Sequence, residues 1–526
     1  MSGIVPTTTT LADVYPADAD EVAFQQQRWT KLVDTFAATH GHKPTFVSRS
    51  PGRVNIIGEH IDYSLFSVLP MAIAADVLLA VSTPSPSSSS SGDDSFKITI
   101  SNVQTDKFPG AEFTVSPSAT EIEIDRSHHH WSNYFKAGLK GAMGLLRQKH
   151  GDEFRFKSMN VVMDGNVPPG GGLSSSAAFV TASALAVLVA NGETEVDKVK
   201  LTELAIVSER EVGVNSGGMD QSASVLSERD AALFVSFTPS LSARPVRFPQ
   251  TTPELVFLIA QTFVRSAKFD TAPYRYNLRV VECTLAAAIL NADCNNSSPL
   301  PRDSSPLGIS LHGFFDSYFT TTNPSLSNLT LQEKFTKAIS LTEESLTQEK
   351  GYTLDEIATH LHLPVSDLQK TYLTKFPAKP PQNLFLLRQR ALHVFRESLR
   401  VLRFMHLLEQ NPPSSSSDIG PSLGRLLTDS QSSCRDDFDC SCAEIDSLVD
   451  IGRRAGAYGS RLTGAGWGGC TIHLVPADRV EQVKKAFDDE YYSKIEMSEE
   501  ERASRVVVTK PGPGSCVFWV SEEGKV

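Results

Sequence analysis

The chain has 526 residues, which is room for two or three domains of roughly 150 residues each. Its 61 acidic and 49 basic residues give a formal net charge of −12, which excludes the generally basic surface that nucleic acid or anionic membranes attract. No apolar stretch reaches the ~18 residues of a membrane span, and the N-terminal residues lack the basic and then apolar segments of a signal peptide. We therefore expect a cytoplasmic protein with neither nucleic acid nor membrane as a partner.

The hydrophobic pattern predicts strands and inserted loops in the first part of the chain and beyond. Residues 1–20 are predicted to be a flexible lead-in. Apolar runs at residues 46–48 and 67–81 are typical of strands. Segments of low complexity, rich in serine, asparagine and proline, are predicted to be disordered insertions: residues 84–95, 295–302 and 411–418.

Helices and one further strand follow from the same pattern. Residues 177–190 form an apolar, alanine-rich run without a helix breaker. Residues 383–409 carry apolar residues at helical spacing with basic residues between them, which predicts a long amphipathic helix with its apolar stripe in the core. Residues 470–475 alternate as a strand does, and a helix containing Val480 to Phe487 is predicted after them.

A glycine- and serine-rich segment at residues 168–178 reads Pro-Pro-Gly-Gly-Gly-Leu-Ser-Ser-Ser-Ala-Ala. The glycines let the backbone come close to a ligand, and the serines offer hydroxyl and N–H groups where a helix begins. Unpaired N–H groups and the helix dipole both favour an anion, so the segment predicts a phosphate site. It has neither the lysine of the P-loop nor the spacing of dinucleotide and protein-kinase glycine motifs. Taken alone, it is equally typical of a strand-to-helix connection with a serine cap.

A second polar cluster lies at residues 207–221. It places Glu209 on a predicted helix and Asp220 just beyond the glycine pair at 217–218, where core packing explains a carboxylate poorly. Transfer of a phosphoryl group to an alcohol needs a phosphate cradle, a ligand for a hard cation and a carboxylate at the acceptor oxygen. The two segments together therefore predict phosphoryl transfer.

Three motifs resemble, in the same order, those of one enzyme family. Residues 48–63, Ser-Arg-Ser-Pro-Gly-Arg-Val-Asn-Ile-Ile-Gly-Glu-His-Ile-Asp-Tyr, resemble the signature of galactokinases. Residues 168–178 are similar to the ATP motif of the GHMP small-molecule kinases, and residues 459–470 are similar to their third, glycine-rich motif. The resemblance covers about the whole chain and is that of a sugar-1-kinase, most like the fungal galactokinases.

The resemblance implies a fold, an activity and its cofactors. The fold is α/β (α+β), with two interleaved lobes and the active site in the cleft between them. We expect an N-terminal lobe over residues 21–250 and a C-terminal lobe over residues 251–526. The implied activity is ATP-dependent phosphorylation of the C1 hydroxyl of galactose, which gives galactose 1-phosphate and ADP in galactose catabolism. ATP and Mg²⁺ are the implied cofactors, and we expect a monomer.

The resemblance also implies roles for individual residues. Asp220 and Arg53 correspond to the catalytic pair. Arg53 stays protonated and would hold Asp220 ionised, so we expect Asp220 mainly to orient the hydroxyl while Arg53 stabilises charge on the transferring group. The residues expected to contact the sugar are Arg53, Glu59, His60, Asp62, Asp220 and Tyr276. Those expected to cradle the phosphates are Gly170, Gly172, Ser174, Ser175 and Ser176, and the implied Mg²⁺ ligands are Ser176 and Glu209.

Alternatives stay open for several of these residues. The Arg53–Asp220 pair would be a structural ion pair if it lay away from the substrates. His60 would instead stabilise its own turn through a hydrogen bond. Trp131 suits either a wall of the adenine pocket or the core. The glycines of residues 459–470 are expected to press a loop against the phosphate loop and the sugar site, as a supporting element.

Two alternative functions also stay open. N-acetylgalactosamine kinases carry a phenylalanine at the place of Tyr276, so Tyr276 favours galactose. They carry Asn-Ser where this chain has Gln261-Thr262, which leaves the purine contacts open. Some fungal relatives are galactose and ATP sensors that bind a transcriptional repressor, and the inactive kind lacks part of the serine–alanine segment. Residues 174–178 are complete here, so we expect catalysis and leave a repressor partner open.

Overall fold

A computed structural model describes most of the chain, namely residues 3–15, 19–84, 95–116, 122–125, 130–212, 217–264, 271–294, 299–374, 376–409, 419–521 and 524. Of the predicted insertions, residues 85–94, 295–298 and 411–418 lie outside these ranges, whereas residues 299–302 lie within them. Within the described ranges, no helix is both long and apolar enough to cross a lipid bilayer.

The strands of the described residues are β1 Thr7–Thr8, β2 Phe46–Ile57, β3 Leu69–Ser82, β4 Phe96–Asn102, β5 Ala111–Val115, β6 Met159–Gly165, β7 Ala231–Ser236, β8 Ser242–Arg247, β9 Leu255–Gln261, β10 Gly459–Thr463, β11 Cys470–Pro476, β12 Val506–Thr509 and β13 Cys516–Trp519. The α-helices are α1 Ala19–His40, α2 Ser132–His150, α3 Ser175–Ala190, α4 Lys198–Arg210, α5 Met219–Leu226, α6 Tyr276–Cys294, α7 Leu311–Asp316, α8 Leu331–Ser345, α9 Leu354–His360, α10 Val365–Leu368, α11 Leu387–Glu409, α12 Ile419–Asp436, α13 Ala443–Arg454, α14 Val480–Glu490 and α15 Glu499–Ser504.

The strands form a seven-stranded sheet, a four-stranded sheet and a hairpin. The seven-stranded sheet has the order β1-β13-β2-β3-β6-β4-β5, the four-stranded sheet has the order β10-β11-β9-β12, and β7 pairs with β8. β13 pairs antiparallel with β2, with Cys516 opposite Arg49. Residues 516–519 therefore belong to the first sheet, although they lie within the expected C-terminal lobe of residues 251–526. The architecture is the mixed α/β type with interleaved parts that the sequence predicts.

The core of the first sheet fixes the position of α3. β2 and β3 are buried along almost their whole length. α3 packs on both strands and is apolar on all sides, so nearly all of its residues are buried. α2 packs closely against α3, since a Cβ at Gly138 would lie 2.7 Å from the Ser183 Cβ. The N-terminus of α3, where the glycine- and serine-rich segment ends, is therefore held by a rigid core.

Six predicted elements are confirmed: the strands predicted at residues 46–48 and 67–81 lie in β2 and β3, and α3, α11, β11 and α14 are present as well. α11 begins at Leu387 rather than at residue 383. Gln382 and Asn383 have φ of 54° and 59° and lie in a separate turn, and such left-handed backbone cannot continue into a right-handed helix.

The described part of residues 1–20 is packed, and the prediction of a flexible lead-in is wrong for it. β1 pairs in parallel with β13. Leu11, Val14 and Tyr15 are buried in one apolar cluster with Trp29 of α1. The cause is the burial of apolar side chains against the first sheet, a tertiary effect that leaves no periodic pattern in so short a segment.

Asp76 of β3 is the centre of a buried polar cluster that ties this region together. Its carboxylate accepts hydrogen bonds from Arg28 Nη1, Arg49 Nε and the Tyr15 hydroxyl, each at 2.6 Å. The Trp29 indole N–H donates to the Tyr15 hydroxyl at 2.9 Å. Burial alone would raise the pKa of Asp76, but Arg28 and Arg49 hold it below its ordinary value. Asp76 is therefore an anion that three surrounding segments require.

Replacing Asp76 with Asn should be strongly destabilising. The change leaves two buried guanidinium groups without their shared anion, and breaking a buried pair in this way costs about 3–5 kcal/mol. Chemical or thermal unfolding of purified protein measures the loss. The matched control is Glu254→Gln, which breaks an exposed 2.8 Å pair with Lys510 and should cost less than about 1 kcal/mol. Equal losses for the two variants would contradict the assignment.

Candidate active site

Arg53 and Asp220 form a buried ion pair. β2 carries Arg53 after a break in register at Pro51, and α5 begins one residue before Asp220. Arg53 Nε donates to Asp220 Oδ1 at 2.7 Å, and Nη1 donates to the carbonyl oxygen of Gly172 at 2.6 Å. Burial alone would lower the pKa of Arg53, but Asp220 and Glu59 raise it above its ordinary value. The guanidinium therefore stays charged and joins β2 to α5 and to the glycine-rich loop.

The turn at residues 58–60 follows β2 and contacts the third glycine motif. Gly58 has φ of 105° and His60 has φ of 60°, both in the left-handed region. Glu59 Oε2 accepts hydrogen bonds from Arg461 Nη2 and from the Gly464 N–H, both at 3.0 Å. Burial raises the pKa of Glu59 to about 7, although the nearby Arg461 guanidinium opposes the shift.

His60 is held at both ring nitrogens. Nε2 lies 2.9 Å from the carbonyl oxygen of Ala465, to which it donates, and Nδ1 lies 3.1 Å from the Tyr63 hydroxyl. The ring centroid lies 4.9 Å from that of Phe438 and 5.6 Å from that of Tyr276. These contacts favour the alternative in which His60 stabilises its turn.

Asp62 and Tyr276 lie beside the Arg53–Asp220 pair. Asp62 Oδ2 accepts from the Met219 N–H at 3.4 Å, which places Asp62 at the N-terminus of α5. Burial, and after it the nearby Asp220 carboxylate, raise the pKa of Asp62 to about 6. Burial, and after it Asp62 and Asp220, raise the pKa of the Tyr276 hydroxyl well above its ordinary value. Tyr276 is therefore a neutral hydroxyl among carboxylates.

The glycine- and serine-rich loop lies directly against the third motif. Gly170 and Gly172 have positive φ, and a Cβ at Gly172 would lie 2.8 Å from the carbonyl oxygen of Thr463. A Cβ at Gly464 would lie 2.3 Å from the Gly172 carbonyl oxygen. The predicted contact between the third motif and the loop is confirmed. Ser174 has φ of 61°, and its buried hydroxyl has no hydrogen-bond partner among the described residues, which suits an anion at this helix N-terminus.

The predicted metal ligands offer oxygen atoms only. Glu209, near the end of α4, is buried and accepts a hydrogen bond from Gln221 Nε2 of α5. Ser175 and Ser176 open α3 and are half-buried. In the described ranges, no group of three or more His, Cys, Asp or Glu side chains can hold a metal ion. A hydroxyl and one carboxylate suit Mg²⁺, with phosphate oxygens and water as the remaining ligands.

Trp131 packs on α3. Its ring stacks on that of Phe179, with centroids 5.9 Å apart and planes 14° apart. Its indole N–H donates to the carbonyl oxygen of Pro109 at 2.8 Å. With both its face and its polar atom engaged, Trp131 fits the core alternative better than a wall of the adenine pocket.

Comparison with known proteins connects this geometry to a family. The galactokinase galactose-binding signature matches residues 34–83, the GHMP kinases N terminal domain matches residues 133–228, and the GHMP kinases C terminal domain matches residues 419–494. The chain is 40% identical to the galactokinase of Saccharomyces cerevisiae, over 94% of this chain and 95% of that protein. It is 38% identical to the galactokinase of Schizosaccharomyces pombe, over 94% of this chain and 96% of that protein. The chain belongs to the galactokinase family.

The fold agrees with that of a solved galactokinase. The crystal structure of Lactococcus lactis galactokinase complexed with galactose is 24% identical, with a TM-score of 0.62, and the match covers 92% of this chain and 98% of that chain. The interleaved α/β architecture implied by the three motifs is confirmed.

Sequence reasoning about this galactokinase missed the residues that support the 58–60 turn. One of them is Arg461. It could have been found in the sequence as the single charged residue of a buried strand, β10. His393 and Glu397 of α11 are the others, and their signal was a pair of polar residues one helical turn apart among buried apolar ones. Arg210, next to the predicted metal ligand, was also missed and lies close enough to Asp62 to interact with it electrostatically.

Asp62→Asn is expected to stabilise the galactokinase in the absence of sugar, and most strongly at neutral pH. Because the folded-state pKa of Asp62 is about 6, above its ordinary value of 3.8, ionisation of this carboxyl disfavours the folded state. The destabilisation is complete above the folded-state pKa and is lost as the pH falls toward 3.8. The variant should therefore melt a few degrees above wild type at neutral pH, with a smaller difference near pH 5.

Thermal unfolding across this pH range measures the effect. Glu203→Gln, at an exposed position of α4, is the control and should show no pH-dependent difference from wild type. A stabilisation by Asp62→Asn that stays constant with pH would mean that the cause is not the ionisation of this carboxyl.

Proposed function

We propose that the protein transfers the γ-phosphoryl group of ATP to the C1 hydroxyl of galactose, giving galactose 1-phosphate and ADP. Membership of the galactokinase family supports this activity, and so does the fold shared with a galactokinase solved with galactose. The observation that carries the proposal is the buried Arg53–Asp220 pair. It contacts the glycine-rich loop on one side and neighbours Asp62 on the other.

Asp220 is proposed to orient the acceptor hydroxyl. As the C1 oxygen forms its bond to the γ-phosphorus, its proton passes to the Asp220 carboxylate, and the bond to the β–γ bridging oxygen breaks to release ADP. The Arg53 guanidinium keeps Asp220 anionic and makes it a weak base, so the proton leaves late in a loose transition state. Arg53 also stabilises the negative charge on the transferring group, because a fixed buried cation needs no reorganisation.

Glu59, Asp62 and Tyr276 are proposed to recognise the sugar. Carboxylates accept hydrogen bonds from sugar hydroxyls, and a neutral tyrosine both donates and accepts. A buried hydroxyl left without a partner costs roughly 1–3 kcal/mol, which is enough to select one epimer. His60 is proposed to act on the sugar through its ring and through the shape of its turn, because both of its nitrogens are already bonded within the protein.

The start of α3 is proposed to bind the phosphates. The loop supplies backbone N–H groups, and the Ser174 hydroxyl is a buried donor without a partner in the described part of the chain. The proposed cradle consists of Gly170, Gly172, Ser174, Ser175 and Ser176. Ser176 and Glu209 are the residues that would hold Mg²⁺, which neutralises phosphate charge when it is bound.

ADP release by the purified protein tests the proposed function. The acceptors are galactose, N-acetylgalactosamine, glucose and mevalonate. Release that is fastest with galactose supports the proposal, and release that is fastest with N-acetylgalactosamine would replace the substrate. Binding of galactose and ATP without any turnover would favour the sensor alternative instead.

Asp220→Asn is expected to lower kcat by roughly 10²–10⁴, with little change in KM for ATP. Asn is nearly isosteric and keeps one acceptor oxygen for Arg53, so we expect a folded but less stable protein with both substrate sites, in which the charge that receives the proton is lost. Arg53→Ala should cost a similar factor, and the double variant should be hardly worse than either, because the two residues act as a unit.

Steady-state phosphorylation of galactose by the three variants measures these factors. The ATP-induced rise in unfolding temperature is the control for a folded nucleotide site. Turnover by Asp220→Asn at more than about a tenth of the wild-type rate would contradict the role of Asp220, since loss of a positioned carboxylate has a larger effect.

Tyr276→Phe is expected to lower kcat/KM for galactose roughly tenfold and to shift the preference toward N-acetylgalactosamine. The change removes a polar partner among the carboxylates and leaves space near the sugar. ATP binding should not change. Tyr274→Phe, at an exposed tyrosine of the same segment, is the matched control and should behave as wild type. The measurement is the ratio of kcat/KM for galactose to kcat/KM for N-acetylgalactosamine. A ratio that is the same in Tyr276→Phe and wild type would place Tyr276 away from the sugar.

A further inference from the structure

Two polar side chains of α11, His393 and Glu397, are completely buried behind the 58–60 turn. They lie one helical turn apart, so both project from the same face of α11. Glu397 Oε1 accepts from the Gly58 N–H at 2.9 Å and from the Glu59 N–H at 3.3 Å. His393 Nε2 lies 3.0 Å from the carbonyl oxygen of Glu59. Three backbone groups of the turn are therefore bonded to a helix that is distant in sequence.

The protonation of His393 follows from its partners. A carbonyl oxygen only accepts hydrogen bonds, so Nε2 must carry a proton toward Glu59. Burial lowers the pKa of His393 to about 4, so the ring is neutral near pH 7. Nδ1 is then unprotonated and lies 2.9 Å from the Ser433 hydroxyl, whose single proton is shared between Nδ1 and the Asp437 carboxylate at 3.1 Å. The Glu59 carbonyl oxygen thus selects the tautomer that donates to the turn.

Glu397 is held as an anion by its surroundings. Burial alone would raise the pKa of Glu397, but the Arg400 and Arg461 guanidinium groups lower it to about 2. Arg400 Nε donates to Oε2 at 2.7 Å, and the Ser430 hydroxyl donates to Oε1 at 2.8 Å. The hydrogen bonds that Glu397 accepts from the Gly58 and Glu59 N–H groups are therefore charge-assisted, and they are stronger than bonds to a neutral acceptor.

The turn needs external support because its backbone conformation is unfavourable. Gly58 and His60 both have positive φ, which costs free energy at a non-glycine position and persists only where the surroundings enforce it. Phe438 completes the support. Its ring lies 4.3 Å from that of His393 and 4.9 Å from that of His60, measured between centroids. A path of direct contacts thus runs from α11 to the side chains at the sugar side of the site.

We propose that His393 and Glu397 are positioning residues for galactose binding, which hold the 58–60 turn so that Glu59 and His60 face the sugar. This inference rests on the proposed galactose kinase activity. Among the described residues, neither side chain forms a hydrogen bond to the glycine- and serine-rich loop. Their loss should therefore weaken the binding of galactose and not that of ATP. A purely structural role would instead affect both substrates or stability alone.

Two neutral amides at position 393 provide the test. The amide nitrogen of Gln reaches the place of His Nε2, whereas the shorter Asn reaches only the place of Nδ1. His393→Asn should therefore leave the Glu59 carbonyl oxygen without its donor and raise both KM and Kd for galactose roughly tenfold. His393→Gln should restore the donor and stay within about threefold of wild type. For both variants, KM for ATP should change less than about twofold.

Calorimetry gives the Kd of galactose independently of turnover, and steady-state assays give both KM values. The matched control is Ser398→Ala on the same helix. Among the described residues this buried hydroxyl bonds only to the Val394 carbonyl oxygen of its own helix, so the change should have no effect on either substrate. A selective loss of galactose affinity in His393→Asn, with rescue in His393→Gln, supports the proposal. Equal galactose affinity in wild type and both variants overturns it, and so does a parallel loss for galactose and ATP.

Glu397→Gln keeps the inference testable if His393→Asn does not fold. This variant retains an acceptor oxygen and the side-chain shape but loses the charge, and it places an N–H group toward Arg400. Its galactose Kd should rise roughly three- to tenfold with ATP unaffected, and an unchanged Kd in folded protein overturns the proposal. Wild-type protein that binds but does not phosphorylate galactose would refute the proposed function alone, since the Kd series still reports on the turn.

Discussion

The geometry of the site depends on the hydrogen bonds of the buried Arg53 guanidinium. Its planar fork bonds to the Asp220 carboxylate on one side and to the Gly172 carbonyl oxygen on the other, so one side chain sets the distances between a strand, a helix and a loop. A buried cation cannot be left without these partners, because its desolvation is compensated only by them. The proposed catalytic arrangement is therefore also a condition for packing β2, and substitutions here are expected to change chemistry and stability together.

The sugar side of the site is built by one half of the chain and supported by the other. The 58–60 turn belongs to the galactose-binding signature, but its hydrogen bonds run to Arg461, Gly464, Ala465 and the two polar residues of α11. β13 pairs with β2. The segment before β13 is held by Arg49 of β2, whose Nη1 donates to the Pro513 carbonyl oxygen at 2.9 Å. Because the parts are interleaved, neither can supply the complete proposed sugar site alone.

Local patterns in the sequence were sufficient for the elements whose signal is local. α3, β11 and α14 follow from apolar runs and alternation. The contact between the loop of residues 459–470 and the phosphate loop was expected from the glycine motif through the family resemblance, and the structure shows it at Gly172 and Gly464. Residues 4–15 were misjudged because their few apolar side chains gain order only from the sheet they cover. His393 and Glu397 were missed for a related reason. The helical pattern identifies α11, but the backbone groups of the turn to which these two side chains bond lie more than 300 residues away, and no local pattern records them.

The charges around the sugar position connect stability to specificity. Burial raises the pKa of both Tyr276 and Asp62, and nearby carboxylates raise these values further: Asp62, Asp220 and Glu59 act on Tyr276, and Asp220 acts on Asp62. Without a ligand, the site therefore holds carboxylates that repel one another in a poorly hydrated space. A ligand with several hydroxyl donors relieves this repulsion, because each donated hydrogen bond favours the ionised carboxylate. A ligand that lacks a donor at one of these positions leaves a buried, charged acceptor one hydrogen bond short, which is more costly than losing a neutral hydrogen bond. On the proposed function, the same carboxylates that weaken the empty site therefore discriminate among sugars, and α11 is required because such discrimination works only if the turn cannot move away from a poor fit.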